Sequence, residues 1–369
     1  MRARTDAKDT LKMTLDRTRD LDALLNEIEG KPRAMVGLAR LLRPEDHRAL
    51  AVQLCVRALE LAPDDEEVRT MAADVLSTGV PQWHFDIVRD QGRNNAYEAA
   101  IRRAVSPGCR VLEIGTGTGL LAMMAARAGA AAVVTCEADV GIATAAREIV
   151  ARNGFADRVR VITKHSTALD IEADLGGPVD VLLSEIVSND LLSEGALPVM
   201  EHAATAHLLK PGGRIVPIRG RVRMALACDD DWQTERMGMV AGFDLSPFNR
   251  LATPQRAIYV GAPRLILRSD PVDAFVFDFA SGGPYPPAQV SSELVSQGGR
   301  VNGIAQWIAL DLDGEGRYEN FPEPGTGSSW MTNFHAFERE AHTAAGQRVA
   351  VQARHDRKSV RIWSPQPPR

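Results

Sequence analysis

Up to about residue 80 the apolar positions fall at helical spacing. Met35, Leu38, Leu41 and Leu42 form one stripe, and Val52, Leu54, Cys55, Ala58, Leu59 and Leu61 form another. Pro44-Glu45-Asp46 and Pro63-Asp64-Asp65 punctuate these stripes as turns, since a proline ends or starts a helix. A further helix is predicted from Glu67 to Leu76, stopping before Gly79 and Pro81. From about 82 to 218 the texture changes to short apolar runs between alanine-rich helical stretches. Val111-Leu112, Ala132–Val134, Val159–Ile162, Val179–Leu183 and Ile215-Val216 read as strands, with helices at Leu120–Ala128 and Ile142–Asn153. That alternation predicts a parallel sheet covered by helices on both faces. Beyond about 220 helical signals are scarce. Arg219–Cys228, Arg264–Arg268, Ala274–Phe279, Gly303–Asp311, Met331–Phe337 and Arg348–Trp363 read as antiparallel strands between Gly/Pro turns, the pattern of a β-sandwich or barrel. The polar stretch Asp229–Pro254 reads as an inserted arm. The expected division is a helical region over 1–80, an α/β domain over 81–220 and a β domain over 221–369.

A chain of 369 residues is long for one core, so more than one packed unit is expected. Its hydrophobic content of 45% and charged content of 25% are those of a globular protein. A net charge of −5 and a pI near 6.0 give no reason to expect nucleic acid as a partner. Cys55, Cys109, Cys136 and Cys228 stand far apart, with neither a CxxC nor a histidine partner, which predicts a reducing cytoplasm rather than zinc or disulfides. The histidines show no metal-ligand spacing. The N-terminus is strewn with charges and lacks the apolar run of a signal peptide, and Arg127 breaks the most apolar stretch, so no membrane span is expected.

The strongest chemical signal is Val111-Leu-Glu113-Ile-Gly115-Thr-Gly117-Thr-Gly119-Leu-Leu, which follows a strand and opens a helix. Glycines permit the tight turn and let a ligand approach the backbone, and the helix N-terminus behind them favours an anionic group. Glu137 closes the next strand, where an acidic side chain can take both hydroxyls of a ribose. The dinucleotide pattern GxGxxG would need glycine at Leu120; the spacing here is ExGxGxG. Next to a pyrophosphate the Glu113 carboxylate would be repulsive, whereas S-adenosyl-L-methionine brings an ammonium and a sulfonium. The charge logic therefore favours S-adenosylmethionine.

Two further carboxylates follow the fourth strand in Ser184-Glu185-Ile-Val-Ser-Asn-Asp-Leu-Leu-Ser-Glu194-Gly. Glu185 sits at the carboxyl end of that strand, where open parallel sheets bind ligands. If the intervening segment loops back, Glu185 and Glu194 face one pocket and can grip a guanidinium by charge-assisted hydrogen bonds. On spacing alone, two glutamates on a loop are more often solvated surface than a clamp.

Taken with the glycine loop, Glu137, the glutamate pair and the β-rich C-terminal half, several words of the sequence resemble the protein arginine methyltransferases, and most closely the tandem-copy, monomethylating branch. They are Asp90-Gln-Gly-Arg93-Asn94, Lys164-His-Ser-Thr167, Glu194-Gly-Ala-Leu-Pro198 and Glu201-His202. The resemblance runs from about Trp83 to Trp363. It implies a Rossmann-like seven-stranded class I methyltransferase domain followed by an antiparallel β-barrel, S-adenosylmethionine as cofactor, and arginine of a protein or peptide as substrate. It also implies that Arg93 salt-bridges the cofactor's carboxylate, that Gly115 and Gly117 line its loop, and that Glu137 holds the ribose. Ser166 would sit beside the adenine, Glu185 and Glu194 would clamp the arginine, and Trp330 would close the pocket. The family's histidine before that tryptophan is Ser329 here, a side chain expected to be too short to brace the Trp330 loop and so to leave a looser, monomethylating pocket. The arm implies a head-to-tail homodimer. Ala58-Leu-Glu-Leu-Ala-Pro-Asp-Asp resembles the end of a tetratricopeptide repeat, so the helical region is either a cap or a module for a protein partner.

Overall fold

The computed structural model of the protein describes residues 21–42, 44–232, 236–253, 255–262 and 264–366. The charged N-terminus through residue 20 and short pieces of the arm lie outside the described residues. The chain forms two compact units: residues up to Gln82 with Asp139–Thr144, and Trp83–Ala138 with Ala145 onwards.

The first unit contains α1 over residues 21–28, α2 (Pro32–Leu41), α3 (Pro44–Leu61) and α4 (Glu66–Leu76). Pro44, read as a turn, begins α3, and the helix breaks soon after at His47 (φ −133°, ψ 21°). The apolar stripes meet in a core of Ile28, Met35, Val36, Ala39, Cys55, Ala58, Val68 and Ala72. Asp65 caps α4, its carboxylate accepting from the amides of Glu67 and Val68 at 3.0 and 3.2 Å. No helix among the described residues is long and apolar enough to cross a membrane.

In the second unit α5 (Trp83–Arg89) and α6 (Gln91–Ala104) precede a parallel sheet of β1 (Arg110–Ile114), β2 (Ala132–Glu137), β3 (Val159–Thr163), β4 (Val179–Ser184) and β5 (Leu209–Val216). The helices α7 (Leu120–Arg127), α8 (Val140–Arg152) and α9 (Ala196–Thr205) lie between strands. The strand order is β3-β2-β1-β4-β5. Among the described residues this sheet has five strands, not seven, because the chain leaves it after β5 and enters the antiparallel one. The order reverses between β1 and β4, and ligand crevices of such sheets open at that point. Ile114 pairs with Ser184 in register, so the loops that begin at Gly115 and Glu185 leave the sheet side by side.

The antiparallel sheet has eight strands: β6 (Arg219–Asp229), β9 (Gln255–Ile258), β10 (Leu265–Leu267), β11 (Val272–Asp278), β12 (Ala288–Asp311), β13 (Arg317–Glu319), β14 (Thr332–His355) and β15 (Val360–Trp363). Two of its strands run longer than the hydrophobic pattern predicts. β12 starts at Ala288, well before Gly303, and β14 joins two predicted strands, while Arg348–Trp363 divides at a turn between His355 and Val360. The polar residues of 289–300 hide a strand because two bulges, at Val295/Gln297 and Val301/Gly303, interrupt its alternation. Trp307 and Phe334 fill the core against Ala225, Ala227 and Ala305. Gly303 is needed there, since a Cβ would lie 2.3 Å from the Phe334 ring. Within the arm, β7 (Met239–Val240) and β8 (Phe243–Asp244) pair as a small hairpin.

Candidate active site

The glycine loop emerges from β1 in left-handed conformations that side chains resist, with φ of +89° at Gly115 and +49° at Gly117. At Gly115 a Cβ would also come 2.6 Å from Ile186, which follows Glu185, so the two loops touch. The Gly117 amide donates to Glu137 at 3.2 Å, which places this carboxylate at the loop. Glu113 behaves differently from its sequence reading. It is fully buried and accepts from the Thr135 hydroxyl at 2.6 Å, and that hydroxyl in turn meets Thr116 at 2.7 Å. Burial pushes the Glu113 carboxyl up to about 8, against the pull of Thr135 and Arg93. At neutral pH it is mostly protonated, so it braces the loop between β1 and β2, and Glu137 is the acidic group that faces the loop amides. Glu137 pairs in register with Thr163 at the end of β3, just ahead of the buried Ser166, so both lie along the same edge of the sheet.

Arg93 stands in the first turn of α6 because Asp90 caps that helix, its Oδ1 accepting from the Arg93 amide at 2.9 Å. The buried Arg93 guanidinium pairs directly with Glu185, also binds Asn94 Oδ1 at 2.8 Å, and lies 5.2 Å from the Tyr97 ring. Tyr97 donates to the Ser184 carbonyl at 3.3 Å, tying α6 to the end of β4. Burial raises the Glu185 carboxyl, and Arg93 holds the rise in check. Arg93 Nε and Glu185 Oε1 are buried without a hydrogen-bond partner. A spare donor on the cation and a spare acceptor on the anion, at one point of the crevice, fit a ligand carboxylate on one side and a ligand guanidinium on the other. The sequence placed both residues at the site but gave no sign that they pair.

Glu194 is solvent-exposed, yet it stands close enough to feel the charges of Glu185 and Asp190: its carboxyl is pushed up to about 7 by partial desolvation among the surrounding atoms, then by those two charges. Trp330 is buried against the glutamate loop, its indole N–H donating to the Val187 carbonyl at 3.0 Å. The next amide, Met331, donates to Asn189 Oδ1 at 2.8 Å, and Asn320 donates to the Trp330 carbonyl at 3.1 Å. Tyr318 meets the indole edge-on at 5.3 Å. Asn189, Asn320 and Tyr318 carry no signal in the sequence, since single polar residues with partners far along the chain have no local pattern.

Ser329 overturns its expectation. Its amide and hydroxyl both donate to Asp90 Oδ2, at 2.9 and 3.2 Å, and the Tyr318 hydroxyl donates to the same oxygen at 2.7 Å. Serine suffices because Asp90 and the loop backbone lie within direct reach, and Tyr318 fills the space beside it. Although burial opposes ionisation, these donors keep the Asp90 carboxyl below the ordinary range. One carboxylate thus ties the Arg93 helix to the Trp330 loop, and the loose-pocket argument for monomethylation falls. Ser329→Ala, which keeps the amide bond, is expected to lower kcat/KM roughly tenfold, and Asp90→Ala much more, since one hydrogen bond to a charged group contributes about 1.5–3 kcal/mol and Asp90 accepts four of them. Steady-state kinetics on the two variants checks the order.

With this geometry in place, known proteins bear on the chain. The family model for ribosomal protein L11 methyltransferase matches residues 97–216, the parallel sheet and its loops. An arginine N(omega)-methyltransferase from Streptomyces achromogenes subsp. streptozoticus is 35% identical over 320 residues, 83% of this chain and 85% of its own. Protein arginine N-methyltransferase 7 of Danio rerio is 31% identical over 308 residues, 74% of this chain, but the match spans 44% of that longer protein. The solved Trypanosoma brucei PRMT1 enzyme–prozyme heterotetrameric complex with AdoHcy shares the fold at a TM-score of 0.67 and 22% identity, over 75% of this chain and 89% of that one. Arabidopsis thaliana protein arginine methyltransferase 10 does so at 0.62 and 21%, over 76% and 89%. The glycine loop, the paired glutamates and a relative matched along most of its length agree: the chain belongs to the family of S-adenosylmethionine-dependent arginine N-methyltransferases.

Proposed function

We propose that the chain methylates a guanidinium nitrogen of arginine within a protein or peptide, and that it works as a homodimer. The observation that carries the site assignment is the buried Arg93–Glu185 pair with one spare hydrogen-bonding atom on each partner. S-adenosylmethionine supplies an electrophilic methyl group on its sulfonium. The loop of Gly115 and Gly117 receives it against the backbone, Glu137 takes the ribose hydroxyls, Ser166 flanks the base, and Arg93 meets the carboxylate through its spare N–H. Glu185 and Glu194 hold the substrate guanidinium by charge-assisted hydrogen bonds and orient one nitrogen for transfer. They also stabilise positive charge left on the guanidinium, in a crevice from which Trp330 helps to exclude water. Glu194, pushed up to about 7, is poised to accept the proton that the nitrogen sheds after methylation.

A second reading has one observation in its favour. The Streptomyces relative, matched over 85% of its length, is named for arginine with no protein in its name. Free arginine is therefore the alternative substrate. Incubation with methyl-labelled cofactor, once with L-arginine and once with a dialysed lysate, separates the two. Label in protein-derived methylarginine supports the peptide reading, label in free methylarginine alone replaces it, and label on any other residue overturns both.

The arm supports the dimer. Met239, Phe243, Phe248 and Leu251 are 70%, 71%, 61% and 75% exposed, a cluster of apolar surface that single chains seldom leave uncovered. A double substitution, Phe243→Asp with Leu251→Asp, is expected to give a monomer in sedimentation analysis and to lower turnover. A wild-type chain that sediments as a monomer at micromolar concentration would remove the dimer reading.

A further inference from the structure

The segment between the two glutamates is gathered around a residue that has no place in the chemistry described so far. Asp190 is 5% exposed, and its Oδ1 accepts four hydrogen bonds: from the hydroxyls of Ser188 and Ser193 at 2.6 and 2.7 Å, and from the amides of Leu192 and Ser193, both at 3.0 Å. Its Oδ2 accepts from the Val360 amide at 3.4 Å, where β15 begins. The turn is one a free chain would avoid. Leu191 has φ +74°, in the left-handed region that a branched side chain resists, and it is fully buried. A Cβ at Gly220 would come 2.9 Å from Leu191, so β6 closes over that side chain. Asp190 supplies the bonds on both sides of the unfavourable residue, and the first glutamate after it is Glu194.

We propose that Asp190 is a positioning residue for methyl transfer: by binding Ser188, Leu192 and Ser193 to one carboxylate oxygen and Val360 to the other, it fixes the strained turn that sets Glu194 opposite Glu185. The inference rests on the reading of Glu185 and Glu194 as the arginine clamp. Rigid turns of this kind hold a reacting group more closely than solvated loops, and a misplacement of about 1 Å can cost on the order of a hundredfold in rate.

Asp190→Ala and Asp190→Asn in the full chain, each alone and combined with Glu194→Gln, test the role on the arginine substrate that the wild type turns over. Asp190→Ala is expected to lower kcat/KM by about a hundredfold, with S-adenosylhomocysteine affinity changed less than threefold. Its Leu192 and Ser193 amides should exchange with deuterium faster than in the wild type. Asp190→Asn keeps an oxygen that can accept the same four bonds and should retain more than a tenth of the activity. In the Glu194→Gln background Asp190→Ala should add no further loss, because a residue acting through Glu194 has nothing left to position. Should Asp190→Ala not fold, Ser188→Ala with Ser193→Ala removes two donors and keeps the charge, and is expected to lower kcat/KM about tenfold. A wild-type rate in that pair or in Asp190→Ala, beside an inactive Glu194→Gln, overturns the positioning role alone. Full additivity with Glu194→Gln, or Asp190→Asn as impaired as Asp190→Ala, does the same. A fully active Glu194→Gln overturns the clamp and this role together.

Discussion

Glu185→Gln and Glu194→Gln are each expected to remove turnover while S-adenosylhomocysteine still binds. A glutamine keeps the shape of each side chain, but it loses the ionic pairing and presents an NH₂ donor to a guanidinium that has only donors to offer. Breaking one such buried contact costs about 2–5 kcal/mol, or roughly thirtyfold to several thousandfold in rate. The structure separates the two variants in a way the sequence does not. Glu185 is the counter-charge of the buried Arg93, so Glu185→Gln leaves a desolvated cation unpaired and should cost the fold about 3–5 kcal/mol as well. Glu194 is solvent-exposed and lies near the like charges of Glu185 and Asp190, so Glu194→Gln relieves repulsion, leaves no buried charge unpaired and should leave stability equal or higher. Thermal melts beside activity assays read both halves. Wild-type rates in both variants would show that arginine is not held here, and an unchanged melting temperature in Glu185→Gln would show that the ion pair is not what holds Arg93.

The second large effect is on pH. The Glu194 carboxyl is raised to about 7, and the clamp requires the ionised form. The sign follows: kcat/KM should be full above pH 7 and should fall as pH drops through about 7, by roughly tenfold per unit once below it. Between pH 8 and pH 5 the loss is about a hundredfold. Glu194→Gln has no such group, and its residual rate should lose that limb or show one set by Glu185 at a different pH. A wild-type profile flat from pH 8 to pH 5 would place Glu194 outside the reaction.

What the sequence disclosed was what repeats locally. The five parallel strands, the glycine loop, Glu137 and the glutamate pair are each marked by hydrophobic period or by spacing over a dozen or so residues, and the structure places them at one crevice. What it hid depends on partners far along the chain. The Asp90–Ser329 and Asp90–Tyr318 bonds join residues more than two hundred positions apart, and the expectation of a loose Trp330 loop failed because it weighed Ser329 without Asp90. Glu113 misled for a related reason. Its charge depends on burial, and neither its type nor its spacing records that its carboxyl lies beneath the loop against Thr135. In the antiparallel sheet the bulges of β12 broke the two-residue period on which strand prediction relies.

The register of Ile114 with Ser184 has a consequence for where the enzyme can move. Both loops of the crevice are rooted in adjacent interior strands of the parallel sheet, the kind of position whose amides open only with the whole domain. Their first residues therefore share one fate under heat or denaturant, and partial unfolding cannot separate the methyl donor's cradle from the arginine's. Slow exchange should mark Leu112, Leu182 and their neighbours, while the exposed arm around Phe243 exchanges freely. Motions that admit substrate and release product would then belong to segments laid over the crevice, such as the turn bearing Trp330, and not to the strands that carry it.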